Sequence, residues 1–278
     1  MKKSFLSAGL CLTLAGLTFT ATEASAQDQP ATAPPPKLLQ IIVEGLKPGQ
    51  GGNPHMKTES AFVQAFKSAN WQTHYFGMDA LSGPSRAVFF VPFDSFESWQ
   101  KELDATAKNS SLSAALDSAT VADGALLNSY ETSAYVLRDD LSLRAPVPMD
   151  HFHYIEIALF RIRSGHDKEW EELVKTYIAA IQKIPEVHWA IFQKMYGTES
   201  GSRFIAVTPM KSMAEVDQAM LGGKAFEQAV GEEQMKKWRD LTAAAVESSE
   251  SNIYAVNPKM SYPFDSWIKA DPTFWNQQ

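Results

Sequence analysis

The stretch that decides the fold is residues 85–95, SRAVFFVPFDS, which returns 117 residues later as residues 202–212, SRFIAVTPMKS. Each copy opens on Ser-Arg, continues through aliphatic, aromatic and β-branched residues, reaches a proline and ends on a serine. Such a run predicts a strand, and a serine placed just after it is a good N-cap for a helix. The chain is therefore a tandem duplication.

The residues around these two copies repeat as well. The aliphatic run at residues 38–43 matches residues 154–159, and the match continues to Gly49 and Gly165 in the turns that follow. Helical spacing and glycine-containing turns then extend each repeat to strand, helix, strand, strand, helix, strand. The expected N-caps are Asn53 (followed by Pro54) and Asp167 for the first helices, and Ser95 and Ser212 for the second helices.

This order predicts an α+β fold made of two tandem ferredoxin-like β-α-β-β-α-β repeats, at residues 38–145 and 150–262. One such sheet has a helix-covered face and an open face, and the open face must be buried. We therefore expect the two sheets to pack face to face into an intramolecular α+β barrel. The aromatic tail, residues 263–278, is expected to pack over the barrel and close one of its mouths.

The amino end predicts export. Two lysines precede a short apolar run, and Ala-Ser-Ala closes residues 1–26, so this segment has the pattern of a signal peptide and the mature protein is expected to be secreted or periplasmic. Cleavage removes Cys11, the single cysteine, and leaves neither a disulfide nor a thiol nucleophile. Residues 27–37 are rich in proline and predict a disordered linker.

Composition excludes several classes of partner. The chain carries 25 Lys and Arg against 32 Asp and Glu, a net charge of −7, without a basic run. Neither nucleic acid nor a membrane is therefore expected as a partner once the signal is removed. Two repeats in one chain are compatible with a monomeric pseudo-dimer, and the oligomeric state stays open.

By its element order and internal repeat, the chain resembles the dimeric α+β barrel superfamily in its fused, two-repeat form. This superfamily includes antibiotic-biosynthesis monooxygenases, stress-responsive barrel proteins, NIPSNAP proteins and chlorite dismutases. The resemblance covers residues 38–262 and implies a cavity between the sheets. Some two-repeat relatives carry haem on a histidine from a late helix of the second repeat. Residues 212–247 contain no histidine, so haem is disfavoured and no cofactor is predicted.

Glu156 is the first candidate catalytic residue. Strand alternation separates an aliphatic face, expected under the helices, from Tyr154, Glu156 and Phe160, which are expected to face the lumen with Gln40 as the counterpart of Glu156. A carboxyl group in an apolar cavity has a raised pKa and can act as a general base. The alternative is a structural carboxylate paired with Arg203 or another lumen group.

Histidines and arginines supply the other candidates. His74 and His188, the latter beside Trp189, are expected at the cavity mouth, with His188 as a second candidate base. The same aromatic residues also suit a plain core. Arg86 and Arg203 are charged residues that the repeat preserves, and arginine can bind a carboxylate-bearing ligand bidentately.

Both arginines also have plain structural partners. Glu131 and Glu250 are repeated too, so each arginine has an alternative role in a salt bridge. His151 and His153 lie two residues apart on a predicted strand and could share a metal ion. No further ligand lies at a recognised spacing, so no metal site is predicted.

Three functions remain open at this point. The first is binding of a small, mainly apolar or aromatic ligand between the sheets by an exported barrel. The second is a cofactor-independent oxygenase or isomerase with Glu156 or His188 as the base. The third is a structural or stress protein whose barrel is filled by side chains. Whether the barrel is hollow separates the second function from the third.

Overall fold

The computed structural model describes residues 35–145, 151–182, 187–198 and 201–277, so the predicted signal peptide and most of the linker lie outside the described residues. The elements of the first repeat are β1 (Leu38–Leu46), α1 (Asn53–Ser68), β2 (Tyr75–Ala80), β3 (Arg86–Phe93), α2 (Phe96–Lys108), α3 (Ser110–Gly124) and β4 (Leu127–Leu137). Those of the second are β5 (Tyr154–Ile162), α4 (Asp167–Ile181), β6 (Ala190–Tyr196), β7 (Arg203–Met210), α5 (Ala214–Val230), α6 (Glu232–Ala245) and β8 (Val246–Tyr262). The tail forms two short helices, α7 (Asp265–Ala270) and α8 (Pro272–Trp275).

The eight strands form one closed antiparallel barrel in the order β1-β3-β2-β8-β5-β7-β6-β4. Within each repeat the four strands pair as β4-β1-β3-β2 and β8-β5-β7-β6. Two ladders between the repeats, β2 with β8 and β4 with β6, join the two sheets. The predicted fold class is confirmed, and closure leaves neither sheet with a free edge.

Large apolar side chains from both repeats meet in the barrel interior. The cluster joins Ile41 and Phe90 of the first repeat to Ile155 and Val207 of the second. Trp275 of the tail belongs to the same cluster and is only 1% exposed. The tail therefore packs on the barrel, as predicted, and contributes to its filling.

The two faces of the strands are the reverse of the prediction. Ile155 lies in the interior cluster, whereas Ala158 and Phe160 pack under α4, with Phe160 and Trp170 centroids 4.7 Å apart. Alternation separates the two faces of a strand but does not say which face turns inward. In β5 the aliphatic residues Ile155, Ile157 and Leu159 pack in the interior cluster.

Helix starts follow the prediction in part. Ser95 caps α2 with a complete capping box, as predicted. Ser212 is not a cap, because α5 begins at Ala214 with Met213 at its N-cap position and has no side-chain cap. The Glu215 carboxylate accepts the backbone N–H groups of Lys211 and Ser212. The helices α1 and α4 begin at the predicted Asn53 and Asp167, but their N-cap positions fall one residue earlier, without side-chain caps. In the described part of the chain, no helix is both long enough and apolar enough to cross a membrane.

Candidate metal centre

Four side chains that can bind metal converge between the first sheet and its helices. Glu44 comes from the end of β1, His55 and Glu59 lie one turn apart on α1, and Asp123 comes from the last turn of α3. One potential ligand atom from each lies within 4.8 Å of all the others. From His55 Nε2, the distances are 2.9 Å to Glu44 Oε2, 3.5 Å to Asp123 Oδ1 and 3.8 Å to Glu59 Oε1.

The cluster is shielded from water. Exposure is 6% for Glu44, 0% for His55, 4% for Glu59 and 2% for Asp123. Burial, together with the neighbouring Glu44 and Asp123, raises the pKa of Glu59 to about 10. Burial also raises the pKa of Glu44, against the hydrogen bond from His55. Three carboxyl groups that are buried together away from water cannot all be ionised unless a cation lies among them.

Three buried polar atoms in or beside the cluster have no hydrogen-bond partner among the described residues: His55 Nδ1, Glu59 Oε1 and the hydroxyl of Tyr75. Burial, together with the neighbouring Glu59 and Glu44, raises the pKa of Tyr75 well above its usual value. Asp123, by contrast, is held by the Thr58 hydroxyl, which donates to Oδ1 at 2.6 Å. Buried polar groups in native cores are usually hydrogen-bonded, so these atoms have the capacity to accept or donate to a further partner.

In the second repeat, the positions equivalent to this cluster are occupied by apolar core residues. Glu44 pairs across the sheet with Ala87, and Phe160 pairs with Phe204, the residue equivalent to Ala87 in the repeat. On the helix, His55 and Glu59 have the spacing of Trp170 and Val174, which are 1% and 2% exposed. An aromatic and aliphatic contact thus replaces the polar cluster. The fold does not require these acids and this histidine.

The donor set fits a divalent transition metal. Two ligand atoms that each lie about 2.1 Å from a common ion, in tetrahedral or octahedral geometry, are roughly 3.0–3.4 Å apart. The observed distances from His55 Nε2, 2.9–3.8 Å, bracket that range. Imidazole favours Fe, Zn, Cu or Ni over Ca and Mg, while carboxylates also suit Mn. Two of the three carboxylates would neutralise the ion.

The residues predicted to face the lumen lie on the outer side of the sheet. Phe160 packs under α4, and Gln40, Tyr154 and Glu156 share the outer face with their strand neighbours at two-residue spacing. Glu156 lines a cavity of about 170 Å³ beneath α5. Its pKa is raised to about 7 by burial, against a hydrogen bond from Ser251. The raised pKa was expected, but the carboxyl group is outside the barrel.

The predicted histidine sites are packing contacts at the barrel ends. His74 stacks on Tyr262 at 4.6 Å, with Nδ1 3.0 Å from the Pro263 carbonyl oxygen. His188 Nε2 lies 3.0 Å from the Pro209 carbonyl oxygen. Trp189 is buried in the helix-side core of the second repeat and donates to the Leu141 carbonyl oxygen.

The His151–His153 pair does not form part of a metal cluster among the described residues. His153 Nε2 lies 2.8 Å from Asp271 Oδ2, and its ring stacks on Phe274 at 3.9 Å. This contact fixes α8 of the tail against β5. His153 therefore holds the C-terminal tail on the barrel.

The repeated arginines lie at the start of β3 and β7. Arg86 pairs with Glu250 of the other repeat at 3.1 Å and lies over the Tyr254 ring, as the structural alternative predicted. Arg203 is 6% exposed at the equivalent position. The Arg86 contact thus links the two repeats.

This cluster of four potential ligands was not predicted from the sequence. His55 and Glu59 have the i, i+4 spacing that puts two ligands on one helix face, and that signal was available. Glu44 lies near the end of the aliphatic strand β1, and Asp123 lies 64 residues further along than Glu59. Only the packing of α3 on α1 brings these residues together.

Comparison with known proteins supports the fold. No protein-family model and no curated protein sequence matches the chain. A crystal structure of an anthrone oxidase-like protein superposes with a TM-score of 0.52 at 14% identity, covering 79% of this chain and 91% of the other. A candidate monooxygenase from Fusobacterium nucleatum superposes with a TM-score of 0.51 at 9% identity, covering 80% and 93%. The chain therefore has the dimeric α+β barrel fold in its fused, two-repeat form.

Proposed function

We propose that this protein binds one divalent first-row transition-metal ion through Glu44, His55, Glu59 and Asp123. The observation that carries the proposal is the convergence of four buried ligand side chains from three elements, at a position where the second repeat has apolar core. Three buried polar atoms at the cluster, His55 Nδ1, Glu59 Oε1 and the Tyr75 hydroxyl, have no hydrogen-bond partner among the described residues and are compatible with a further ligand there.

The bound ion would tie three elements together. Glu44 belongs to the sheet, His55 and Glu59 to α1, and Asp123 to α3, so coordination cross-links the two helices to the barrel. Because the folded chain would bind the ion and the unfolded chain would not present this site, metal should raise the midpoint of thermal unfolding. Stabilisation by metal is thus the first functional consequence.

The test is metal loading of purified protein. After treatment with a chelator, the protein is titrated separately with Mn²⁺, Co²⁺ and Zn²⁺ without oxygen, and bound metal is measured by mass spectrometry. We expect one ion per chain, visible absorption from the Co²⁺ form and a higher melting temperature. Glu59→Gln and His55→Gln should each weaken binding by at least about 10-fold, since loss of even a supporting outer-shell residue costs that much. Glu59→Gln replaces a carboxylate by a neutral amide, and His55→Gln removes the imidazole that favours a transition metal.

Asp117→Asn is the matched control, because it removes an exposed carboxylate from α3, the helix that carries Asp123. It should bind metal as the unmodified protein does. Circular dichroism establishes that each variant is folded. Failure of all three ions to bind at one equivalent, or equal binding by Glu59→Gln and Asp117→Asn, would disprove the proposal.

We also propose that the protein acts outside the cytoplasm, on the basis of the signal-peptide pattern in residues 1–26. Amino-terminal sequencing of the protein recovered from the periplasmic or secreted fraction should give Gln27 as the first residue. An intact amino terminus in that fraction would contradict cleavage. Metal would then be acquired in a compartment where the cleaved chain, which has lost Cys11, offers no thiolate competitor for the ion.

A further inference from the structure

The cavity that contains Glu156 lies away from the candidate metal centre, between the second repeat and the β2–β3 turn of the first. It is lined by Glu156 of β5, Ser251 and Ile253 of β8, Ser82 of the β2–β3 turn, and three α5 residues: Val216, Ala219 and Met220. Its volume is about 170 Å³. At roughly 30 Å³ per small group, it has room for about five or six non-hydrogen atoms.

The chemistry of the lining is asymmetric. Its polar side holds one carboxyl group and the hydroxyls of Ser82 and Ser251, whereas Val216, Met220 and Ile253 form an apolar side. The Ser82 hydroxyl is already engaged with the Asn252 side chain and the Ile253 backbone N–H. Glu156 is therefore the strongest polar group that a ligand would meet.

No cationic side chain lines this cavity in the described part of the chain. Burial raises the pKa of Glu156, and the hydrogen bond from the Ser251 hydroxyl acts in the opposite direction; no charged side chain contributes to the shift. Thr208 of β7, which pairs with Glu156, is uncharged, and Glu215 and Asp217 are the acidic residues of the adjoining first turn of α5. A half-enclosed carboxylate without a counter-ion is a site that a cation can satisfy.

We propose that this cavity binds a short-chain primary ammonium ion, with the ammonium group on the Glu156 carboxylate and the alkyl chain against Val216, Met220 and Ile253. Three N–H donors of an ammonium group match the carboxylate and the Ser251 hydroxyl. An alkyl chain of four or so carbons fits the remaining volume. The chain's net charge of −7 favours the approach of cations over anions.

The probe is n-butylammonium, titrated into isotopically labelled protein and followed by backbone amide chemical shifts at pH 8, with sodium chloride as the ionic-strength control. A ligand this small should bind with a dissociation constant on the order of 1 mM. Saturable shifts should centre on Ser82, Ala219 and Ser251. Butan-1-ol, the neutral analogue, should bind at least about 10-fold more weakly, and butyrate should not bind, because only the ammonium ion pairs with a carboxylate.

Two variants and a pH series complete the test. Glu156→Gln should weaken n-butylammonium binding at least about 10-fold, whereas Asp217→Asn, which removes an exposed acid from the same helix, should not change it. Affinity should fall about 10-fold from pH 8 to pH 6 as the carboxyl group is protonated. Equal binding of butan-1-ol and n-butylammonium, unchanged binding by Glu156→Gln, or no saturable shift at 20-fold above the expected constant would each overturn the proposal.

Discussion

Glu156 makes stability depend on pH in a way that one substitution can isolate. Burial raises the pKa of its carboxyl group from 4.5 to about 7. Below pH 4.5 the group is protonated in the folded and unfolded chains alike. Between pH 4.5 and 7 the unfolded chain loses this proton while the folded chain keeps it, so stability falls as pH rises.

We therefore expect Glu156→Gln to gain stability relative to the unmodified protein as pH rises through that window, with a constant difference above about pH 8. Melting temperatures measured from pH 4.5 to 8.5 check this, and their difference between the two proteins cancels the other titrating groups. Asp217→Asn should give a flat difference. A flat difference for Glu156→Gln as well would contradict a raised pKa at this carboxyl group.

At the level of single residues, the sequence predicts chemical character better than position. A carboxyl group with a raised pKa was expected at Glu156 and is found there, but on the outer face of β5. Glu44 and Phe160 occupy equivalent places in the two repeats. A comparison of the repeats therefore marks Glu44 as a carboxyl group at a position where the other repeat has an apolar side chain. Asp123 carries no comparable signal, because only the packing of α3 brings it to His55.

At the level of elements, the two repeated serines offer a direct comparison. Ser95 accepts the backbone N–H of Ser98 and caps α2, whereas Ser212 lies before an α5 helix that begins at Ala214. Loss of an N-cap hydroxyl costs about 1 kcal/mol. We expect Ser95→Ala to lower the free energy of unfolding by that amount, and Ser212→Ala to change it by less than about 0.5 kcal/mol.

Chemical denaturation of both variants measures the difference. The substitution is the same in both, and the two serines occupy matching positions of the duplicated stretch, so each variant is the control for the other. Equal losses would mean that Ser212 caps α5 after all. The sequence alone predicts equal losses, because it does not show that α5 begins at Ala214 without a side-chain cap.

At the level of the whole molecule, duplication predicts two sheets that face each other, and it does so because each repeat alone has an uncovered sheet face. It does not predict which strands join the sheets. The 17-residue β8 pairs with β5 of its own repeat and continues along β2 of the other. The β2–β8 ladder exists because β8 extends beyond the length of β4, its counterpart in the first repeat. Local sequence patterns do not predict that extra length.

The C-terminal tail contributes a large side chain to the barrel interior. Trp275 is 1% exposed within the cluster that both repeats form, and its ring lies 5.6 Å from that of Trp267. Trp275→Ala should lower the free energy of unfolding by about 3–5 kcal/mol, because it leaves a cavity among large apolar side chains. Added indole should restore part of the loss by filling that cavity. Gln277→Ala, an exposed change in the same tail, should have almost no effect. Denaturant unfolding with and without indole measures these free-energy changes. A loss below about 1 kcal/mol for Trp275→Ala would mean that the barrel interior is stable without the Trp275 side chain.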